Sequence, residues 1–330
     1  MLNKKLTTKL VRCPFRFAHG LSTVSKLSSL HLVKLCVQGS HRRGAMTWIA
    51  GVLGIALAAA PIRSLSNQPG QIDVILVAHQ DDWQLFMGDV VTQRLHTGKR
   101  GVFVYLTAGD DGRDSVYWQT RERGALQSTR VAAGLPSTDP ISCSTVQIQA
   151  HSVRRCAVGN TESYFFRLPD GSRDGKGFAP YGYQSLRKLR TKRISEISAI
   201  DRSASYRGWA DLMATVGEIV DRDSAGVTIH TSDPSIARNP HDHFDHRMAG
   251  LLVADLRKQN SLGAMYYLGY ALATRAANRS ADQTRAKTAL FIAYDREMMA
   301  VNKKWSAYQE HRAFYTECMQ RTYVRSYPRR

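Results

Sequence analysis

The feature that most constrains this chain is an apolar run that ends abruptly in polar residues. The apolar residues 74–78 are followed by His79, Gln80, Asp81 and Asp82. A strand that is apolar at every position is typical of a parallel sheet covered by helices on both faces. In such sheets, ligands bind beyond the carboxyl ends of the strands. The pattern therefore predicts an α/β fold with a functional site at the end of this strand.

The turn at residues 79–82 contains candidate ligands for a divalent metal. His79 and Asp82 offer nitrogen and oxygen donors three residues apart, so both could reach one ion while Asp81 is held beside it. A second interpretation is open, because an Asp at a strand-to-helix turn commonly caps the helix that follows. The tetrapeptide alone does not decide between a metal site and a helix cap.

A second polar cluster favours the metal interpretation. Residues 227–231 predict another buried strand, and His241, His243 and His246 follow it within a short distance. The i, i+3 spacing of His243 and His246 places their side chains on one face at the start of a helix predicted over 248–256. One of these histidines could complete a metal shell, and the other could face a substrate.

These residues resemble the signatures of a known family, the PIG-L/LmbE-like zinc N-deacetylases. Residues 79–82 are similar to the Ala-His-Pro-Asp-Asp-Glu signature of that family, and residues 243–246 resemble its second signature, His-x-Asp-His. The resemblance covers about residues 72–300. Weaker similarities to the bacterial branch lie at 105–110, 117–122, 166–171, 267–270 and 287–295.

The resemblance implies a role for each residue of the two signatures. His79, Asp82 and His246 would bind Zn²⁺. Asp81 would act as the general base, and His243 would stabilise or protonate the tetrahedral intermediate.

Two residues depart from the first signature. Gln80 stands at the position of the family's proline, and Trp83 stands at the position of its closing acid. A carboxylate beside the metal is therefore missing at position 83. We expect this to change the tuning of the site and the fit of the substrate, and to leave the number of metal ligands unchanged.

Alternating strand and helix patterns predict a Rossmann-like, mostly parallel sheet flanked by helices. A helix over 83–96 follows the first strand, and a strand over 102–106 precedes a helix over 117–134. Short β-like stretches between 144 and 166 would form a small extension at one edge of the sheet. The remaining predicted elements are a helix over 209–220 and a strand over 265–272. A Ser280/Gln283 capping box predicts the start of a long helix that extends to about residue 304. The tail from 308 is expected to pack on the domain.

Positive charge is concentrated at the amino terminus. The chain has 46 Lys and Arg residues against 27 Asp and Glu residues, a formal net charge of +19. Residues 1–44 contain nine basic residues and no acidic residue, so they contribute nine units of the net charge. The other ten units are scattered over the rest of the chain. Because no dense basic run is interleaved with aromatic residues, we expect no nucleic-acid partner.

The amino-terminal pattern predicts export. Arg42 and Arg43 precede an apolar segment at 46–60 that ends in small residues, as a secretory signal does. The segment is shorter than the roughly 20 residues of a membrane-spanning helix, but without cleavage it could anchor the chain to a membrane. A leader without acidic residues is also compatible with an organelle transit peptide. We therefore expect a leader at 1–65, a deacetylase domain at 66–330, and a periplasmic or secreted location.

Cysteine usage allows one structural disulfide. Cys143 and Cys156 lie on either side of a possible strand turn, so they could pair if the protein is exported. None of the five cysteines lies in a Cys-x-x-Cys pair, which argues against a sulfur-ligated zinc site.

The sequence thus predicts a zinc-dependent hydrolase that removes an acetyl or related acyl group from an N-acetylated amino sugar or glycoconjugate. Two alternatives remain open. One is a secreted glycan-binding protein with a retained but inactive metal site, suggested by Trp83; the other is a basic protein that binds nucleic acid or anionic surfaces. The first strand is not followed by a Gly-x-Gly-x-x-Gly motif or a Walker loop, which argues against dinucleotide or ATP use. No oligomeric state is predicted.

Overall fold

The structure of the protein is a computed structural model in which residues 72–221 and 226–329 are described. The expected leader at 1–65, with its apolar segment at 46–60, lies outside these residues. Within the described ranges, no helix has the length and apolar character needed to cross a membrane.

The described residues form an eight-stranded sheet, a two-stranded sheet and helices on both faces of the larger sheet. The strands are β1 (Ile72–Val77), β2 (Arg100–Thr107), β3 (Ser142–Ile148), β4 (His151–Val158), β5 (Thr161–Leu168), β6 (Glu196–Ser198), β7 (Ser205–Arg207), β8 (Thr228–Ser232), β9 (Gly263–Tyr267) and β10 (Val324–Tyr327). The α-helices are α1 (Asp82–His96), α2 (Ser115–Ala132), α3 (Leu186–Arg190), α4 (Gly208–Asp221), α5 (Phe244–Gln259), α6 (Ala281–Val301), α7 (Ala307–Glu310) and α8 (Arg312–Met319). Short 3-10 turns cover Ala179–Tyr181, Tyr270–Thr274 and Lys303–Trp305.

The centre of the large sheet is parallel, as predicted. Its strand order is β10-β9-β8-β1-β2-β5-β4-β3, and the strands from β9 to β5 run parallel to one another. The edges are antiparallel, because β10 pairs with β9 and β3 pairs with β4 in that orientation. The mostly parallel α/β fold is therefore confirmed.

The central strand β1 is apolar from Val74 to Val77 because both of its faces are covered. Val74 and Leu76 point into a core that they share with α3, α4 and α5. Ile75 and Val77 point into a second core formed with α1, α2 and α6. Successive side chains of a strand alternate between faces, so a strand between two helical layers is mostly apolar. The polar residue of β1, Asp73, is buried and pairs with Arg94 and His230.

The β-like stretches at 144–166 and the late strand at 265–272 differ from their predicted arrangement. Strand β5 pairs in parallel with β2 and so belongs to the central sheet, which leaves only β3 and β4 as the edge extension. Strand β9 ends at Tyr267, and a 3-10 turn starts at Tyr270. The chain turns here because the backbone N–H of Tyr270 donates to the Asp242 carboxylate, and a Cβ at Gly269 would lie 2.5 Å from that group.

The long helix α6 begins as predicted. The Ser280 hydroxyl accepts from the backbone of Gln283, and the Gln283 side chain accepts from the backbone of Ser280, so the capping box is complete. The helix ends at Val301, three residues before the predicted end, where Asn302 adopts an extended conformation.

The predicted disulfide between Cys143 and Cys156 is present. The two residues are direct partners in the antiparallel register of β3 and β4, with Cα atoms 4.0 Å apart. Cys318 is a buried free thiol.

Candidate metal centre

The two polar clusters of the sequence meet at one edge of the sheet. Strands β1 and β8 are parallel neighbours, with Val74 opposite Ile229, so both end on the same side. His79 follows the end of β1, and His246 lies in the first turn of α5, which the chain reaches after β8. The His79 Nδ1 and His246 Nε2 atoms are 3.1 Å apart. The two polar clusters identified in the sequence therefore lie at one shared edge of the sheet.

Three donor atoms form a small triangle at this edge. His246 Nε2 lies 2.9 Å from Asp82 Oδ1, and His79 Nδ1 lies 3.4 Å from the same oxygen. The third side is the 3.1 Å between the two histidine nitrogens. In a tetrahedral zinc site with bonds of about 2.0–2.2 Å, two ligand atoms lie about 3.3–3.6 Å apart. The triangle has the size and the donor types of a three-residue zinc site.

The side chains behind the triangle are those that metal-binding histidines need. The Nδ1 atom of His246 lies 3.0 Å from Asp242 Oδ1. The Nε2 atom of His79 faces Asp170 Oδ2 at 3.5 Å and Asp245 Oδ2 at 3.7 Å. A carboxylate on the far nitrogen fixes the orientation of an imidazole and increases its strength as a ligand.

The electrostatics of the centre favour a bound cation. Burial alone would lower the pKa of His246, but the carboxylates of Asp82 and Asp242 raise it to about 10. Burial also opposes charge on His79, yet Asp82 and Asp170 raise its pKa well above the usual value. These buried acids need positive charge nearby, and a divalent metal held by neutral histidines would supply it.

His243 lies close to the triangle but uses its lone pair elsewhere. Its ligand atom lies within 4.8 Å of those of His79 and His246, so distance alone would admit it to a metal site. However, His243 caps helix α5, and its Nδ1 atom accepts from the backbone N–H of Asp245 at 3.2 Å. The proton of the neutral ring is then on Nε2, which lies 3.6 Å from Asp170 Oδ1. This tautomer makes His243 a hydrogen-bond donor toward the site.

Burial and the charge of His79 lower the pKa of His243 to about 4. The ring is therefore neutral at physiological pH, and it can donate from Nε2 without carrying a positive charge.

Asp81 occupies the N-cap position of α1 but does not cap the helix. Its side chain makes no capping hydrogen bond and instead accepts from Arg121 Nη2 at 2.5 Å. The Arg121 Nε atom donates to Gln80 Oε1 at 3.2 Å, and Gln80 Nε2 donates to the Thr107 carbonyl at 2.9 Å. The helix-cap interpretation of Asp81 is therefore wrong, and its carboxylate is held at the site by an arginine.

The two departures from the family signature have different structural consequences. Gln80 participates in the site through Arg121, as described above. Trp83 is completely buried in the core, where its Nε1 atom donates to the Tyr105 hydroxyl at 3.1 Å and its ring packs against Phe103. Because position 83 carries no acid, the carboxylates behind the triangle come from the segments that follow β5 and β8: Asp170, Asp242 and Asp245.

Several residues of the site are not among the five predicted site residues, although the loop 109–112 could be expected from the sequence to line the site or to form a solvated turn. Asp170 follows β5, and its carboxylate faces both His79 and His243. Asp110, at the end of β2, accepts from the backbone N–H of Asp170 and holds that turn in place. Asp170 would have been found if β5 had been recognised as a parallel strand, because its carboxyl end then lies at the same edge as those of β1 and β8.

A cavity of about 250 Å³ opens over the centre. His79, Asp81 and His243 line its inner part, whereas Asp82 and His246 lie beneath them and are almost inaccessible to solvent. Mostly aromatic and charged side chains, together with Ala307, form the rest of the wall: Asp111, Arg113, Tyr117, Arg121, Asp170, Tyr270, Lys304, Trp305, Glu310, His311 and Tyr315. All five predicted site residues are therefore grouped beside one polar cavity.

The fold resembles solved structures of low sequence identity. N,N'-diacetylchitobiose deacetylase from Pyrococcus horikoshii is 14% identical, with a TM-score of 0.45 over 81% of this chain and 88% of that chain. A deacetylase triple mutant involved in the teicoplanin biosynthetic pathway is 11% identical, with a TM-score of 0.44 over 78% of this chain and 95% of that chain. GalB, the 4-carboxy-2-hydroxymuconate hydratase from Pseudomonas putida, is 12% identical, with a TM-score of 0.39 over 74% of this chain and 82% of that chain. In a comparison with curated proteins, no match is found.

One family is matched at the level of sequence. Its model, described as PIG-L: GlcNAc-PI de-N-acetylase, matches residues 74–256. The match covers more than half of the 330 residues and includes both signatures of the site. This chain belongs to the PIG-L family of GlcNAc-PI de-N-acetylases.

Proposed function

We propose that this protein is a zinc-dependent N-deacetylase that acts on an N-acetylated amino sugar or glycoconjugate. The observation that carries the proposal is the triangle of His79, Asp82 and His246 next to a carboxylate, Asp81, that is not used as a helix cap. Membership of a de-N-acetylase family supports the same reaction class.

His79, Asp82 and His246 would hold the Zn²⁺ ion. When bound, the ion supplies Lewis acidity for the amide carbonyl and lowers the pKa of a coordinated water. With three protein ligands, a tetrahedral ion keeps one position open, as catalytic zinc sites do.

Asp81 would accept the proton of the attacking water. Its carboxylate lines the cavity, and Arg121 fixes its direction. A general base must lie within hydrogen-bond reach of the proton that it takes, and a fixed carboxylate next to the metal ligands meets this requirement.

His243 would stabilise the oxygen that gains negative charge when water adds to the amide. Its Nδ1 atom accepts from the backbone, so its Nε2–H is available on the side of the cavity. Donors aimed at a developing oxyanion account for much of the rate enhancement in acyl-transfer enzymes. Asp170, which faces the same ring atom at 3.6 Å, would hold the ring in this orientation.

A direct test is to screen the zinc-loaded protein, prepared without residues 1–65, for acetate release from N-acetylated sugars. The proposal predicts release of acetate and free amine in equal amounts, with loss of both after chelation. Stoichiometric zinc binding with no release from any N-acetylated sugar would contradict it and would indicate a glycan-binding protein instead.

We also propose that the protein is exported, with residues 46–60 as a signal or anchor. The Cys143–Cys156 disulfide supports this location, because structural disulfides persist in oxidising compartments. Cell fractionation of the full chain tests it, and recovery of the chain in the cytosol with both cysteines reduced would contradict it.

A further inference from the structure

The outer wall of the cavity is built by a segment that follows the part of the chain matched by the family. The family match ends at residue 256. The exposed Lys304, Glu310 and His311 and the half-buried Trp305 line the cavity on its solvent side, and all four lie beyond residue 256. This part of the cavity wall therefore lies outside the range that the family model matches.

The segment is held firmly in place. Trp305 packs edge-on against Tyr117, with ring centroids 5.1 Å apart. The hydroxyl of the next residue, Ser306, is buried and donates to Asp295 Oδ2 at 2.5 Å. The Asn302 side chain accepts from the backbone N–H of Lys304 and closes the 3-10 turn. The indole ring thus stands on a fixed turn at the side of the cavity.

The charges of the cavity wall are nearly balanced. Its acidic and basic side chains are largely paired with one another, as in Asp111 with Arg113 at 3.2 Å and Asp81 with Arg121 at 2.5 Å. Such a wall offers many hydrogen-bonding groups without a strong net field, which suits a neutral polyhydroxylated ligand better than an anionic polymer.

The size of the cavity limits how much of a ligand it encloses. Its volume of about 250 Å³ lies below the roughly 300–1,000 Å³ of pockets that bury a whole drug-sized ligand. A reacting amino sugar would fill the inner part, so that any unit attached to it emerges at the mouth beside Trp305 and Lys304.

We propose that Trp305 and Lys304 form an outer subsite that binds the sugar ring attached to the reacting amino sugar. The apolar face of that ring would stack on the partly buried indole, and the Lys304 ammonium would donate to its hydroxyl groups. The proposal rests on the proposed function and makes its substrate a chain of at least two sugar units.

The subsite can be tested by calorimetry without turnover. The probes are N-acetylglucosamine and its β-1,4-linked dimer, and the protein is the zinc-loaded chain with Asp81→Asn. We expect the dimer to bind about two- to tenfold more tightly than the monomer, which is the gain that one well-packed aromatic contact provides. Trp305→Ala should remove this difference and leave monomer binding unchanged, whereas Trp305→Phe should keep most of it.

The neighbouring lysines supply a matched control. Lys303 and Lys304 are both exposed on the same turn, but only Lys304 lines the cavity. Lys304→Ala should weaken dimer binding a few-fold, and Lys303→Ala should not change it. Equal affinity for dimer and monomer, or an equal loss for both in Trp305→Ala, would overturn the subsite. Tight dimer binding combined with no acetate release by the unsubstituted protein would overturn the proposed function and leave the subsite standing.

Discussion

At the scale of single residues, each of the two histidines proposed as metal ligands makes contacts through both of its ring nitrogens. His246 offers Nε2 to the triangle and Nδ1 to Asp242, and His79 offers Nδ1 to the triangle and Nε2 to Asp170 and Asp245. Removing one ligand therefore leaves the other donors and the buried carboxylates without their shared charge. This is the reason that loss of any one ligand is expected to empty the site.

We predict that His79→Ala, Asp82→Ala and His246→Ala each lose zinc. His243→Ala should retain it, because the lone pair of that ring is used by helix α5. Metal analysis of the purified variants measures the difference. Loss of zinc in His243→Ala, with normal occupancy in Asp82→Ala, would show that the donor set is different.

Arg121 provides a second prediction at this scale. Arg121→Met should keep zinc but reduce kcat by about ten- to hundredfold, since the Asp81 carboxylate loses the partner that fixes its direction. Arg123→Met is a matched control, because Arg123 lies on the same helix and is about half exposed at a distance from the site. Equal kcat values for the two variants would contradict the positioning role of Arg121.

The sequence was sufficient to identify the five residues of the two signatures but not their surroundings. His79 and Asp82 follow an unmistakable buried strand, so their position could be predicted. Arg121 lies in the middle of a helix, and its contact with Asp81 depends on how α2 packs beside the sheet edge. Gly109 shows the same dependence. Its φ is +56°, and a Cβ at this position would lie within 3 Å of both Gln80 and Arg121, so the approach of these two side chains requires glycine.

At the scale of elements, the pattern of apolar residues predicted the parallel centre better than the edges. Strand β1 reads as buried because both faces contact helices, whereas β9 and β10 have shorter apolar runs and their ends are set by tertiary contacts. The late strand was predicted too long because the polar contact between Asp242 and the backbone of Tyr270, which ends it, cannot be read from local sequence.

The edge hairpin of β3 and β4 gives a prediction about stability. Its disulfide closes a loop with a sequence separation of 13, for which chain entropy gives a stabilisation of about 3 kcal/mol. Denaturant unfolding should show this loss when the protein is reduced. The double variant Cys143→Ser/Cys156→Ser should match the reduced protein and show no response to reductant. A double variant as stable as the oxidised protein would contradict the prediction.

At the scale of the whole molecule, the centre joins segments that are distant in sequence. Its residues come from the junction of β1 and α1, from the turn after β5, and from helices α2 and α5 with the segment before α5. A cation bound at this point would therefore connect both helical layers through the sheet edge. Because the unfolded chain cannot present this arrangement, metal binding should stabilise the folded state.

We predict that zinc at 100 times its dissociation constant raises the free energy of unfolding by about 2.7 kcal/mol. Chelation should reverse the gain. The shift should be absent in Asp82→Ala, which lacks one ligand but keeps the histidines. A zinc-dependent gain of the same size in that variant would show that the stabilising ion binds elsewhere on the chain.

The central claim is that the metal ligands and the base are separate residues at one turn. In Asp81→Asn the side chain keeps its size but cannot accept a proton, so acetate release from an N-acetylated sugar should fall by about two to four orders of magnitude. Zinc occupancy, measured on the same preparation, should be equal to that of the unsubstituted protein. An Asp81→Asn variant that loses its zinc, or that keeps its activity, would contradict this division of roles.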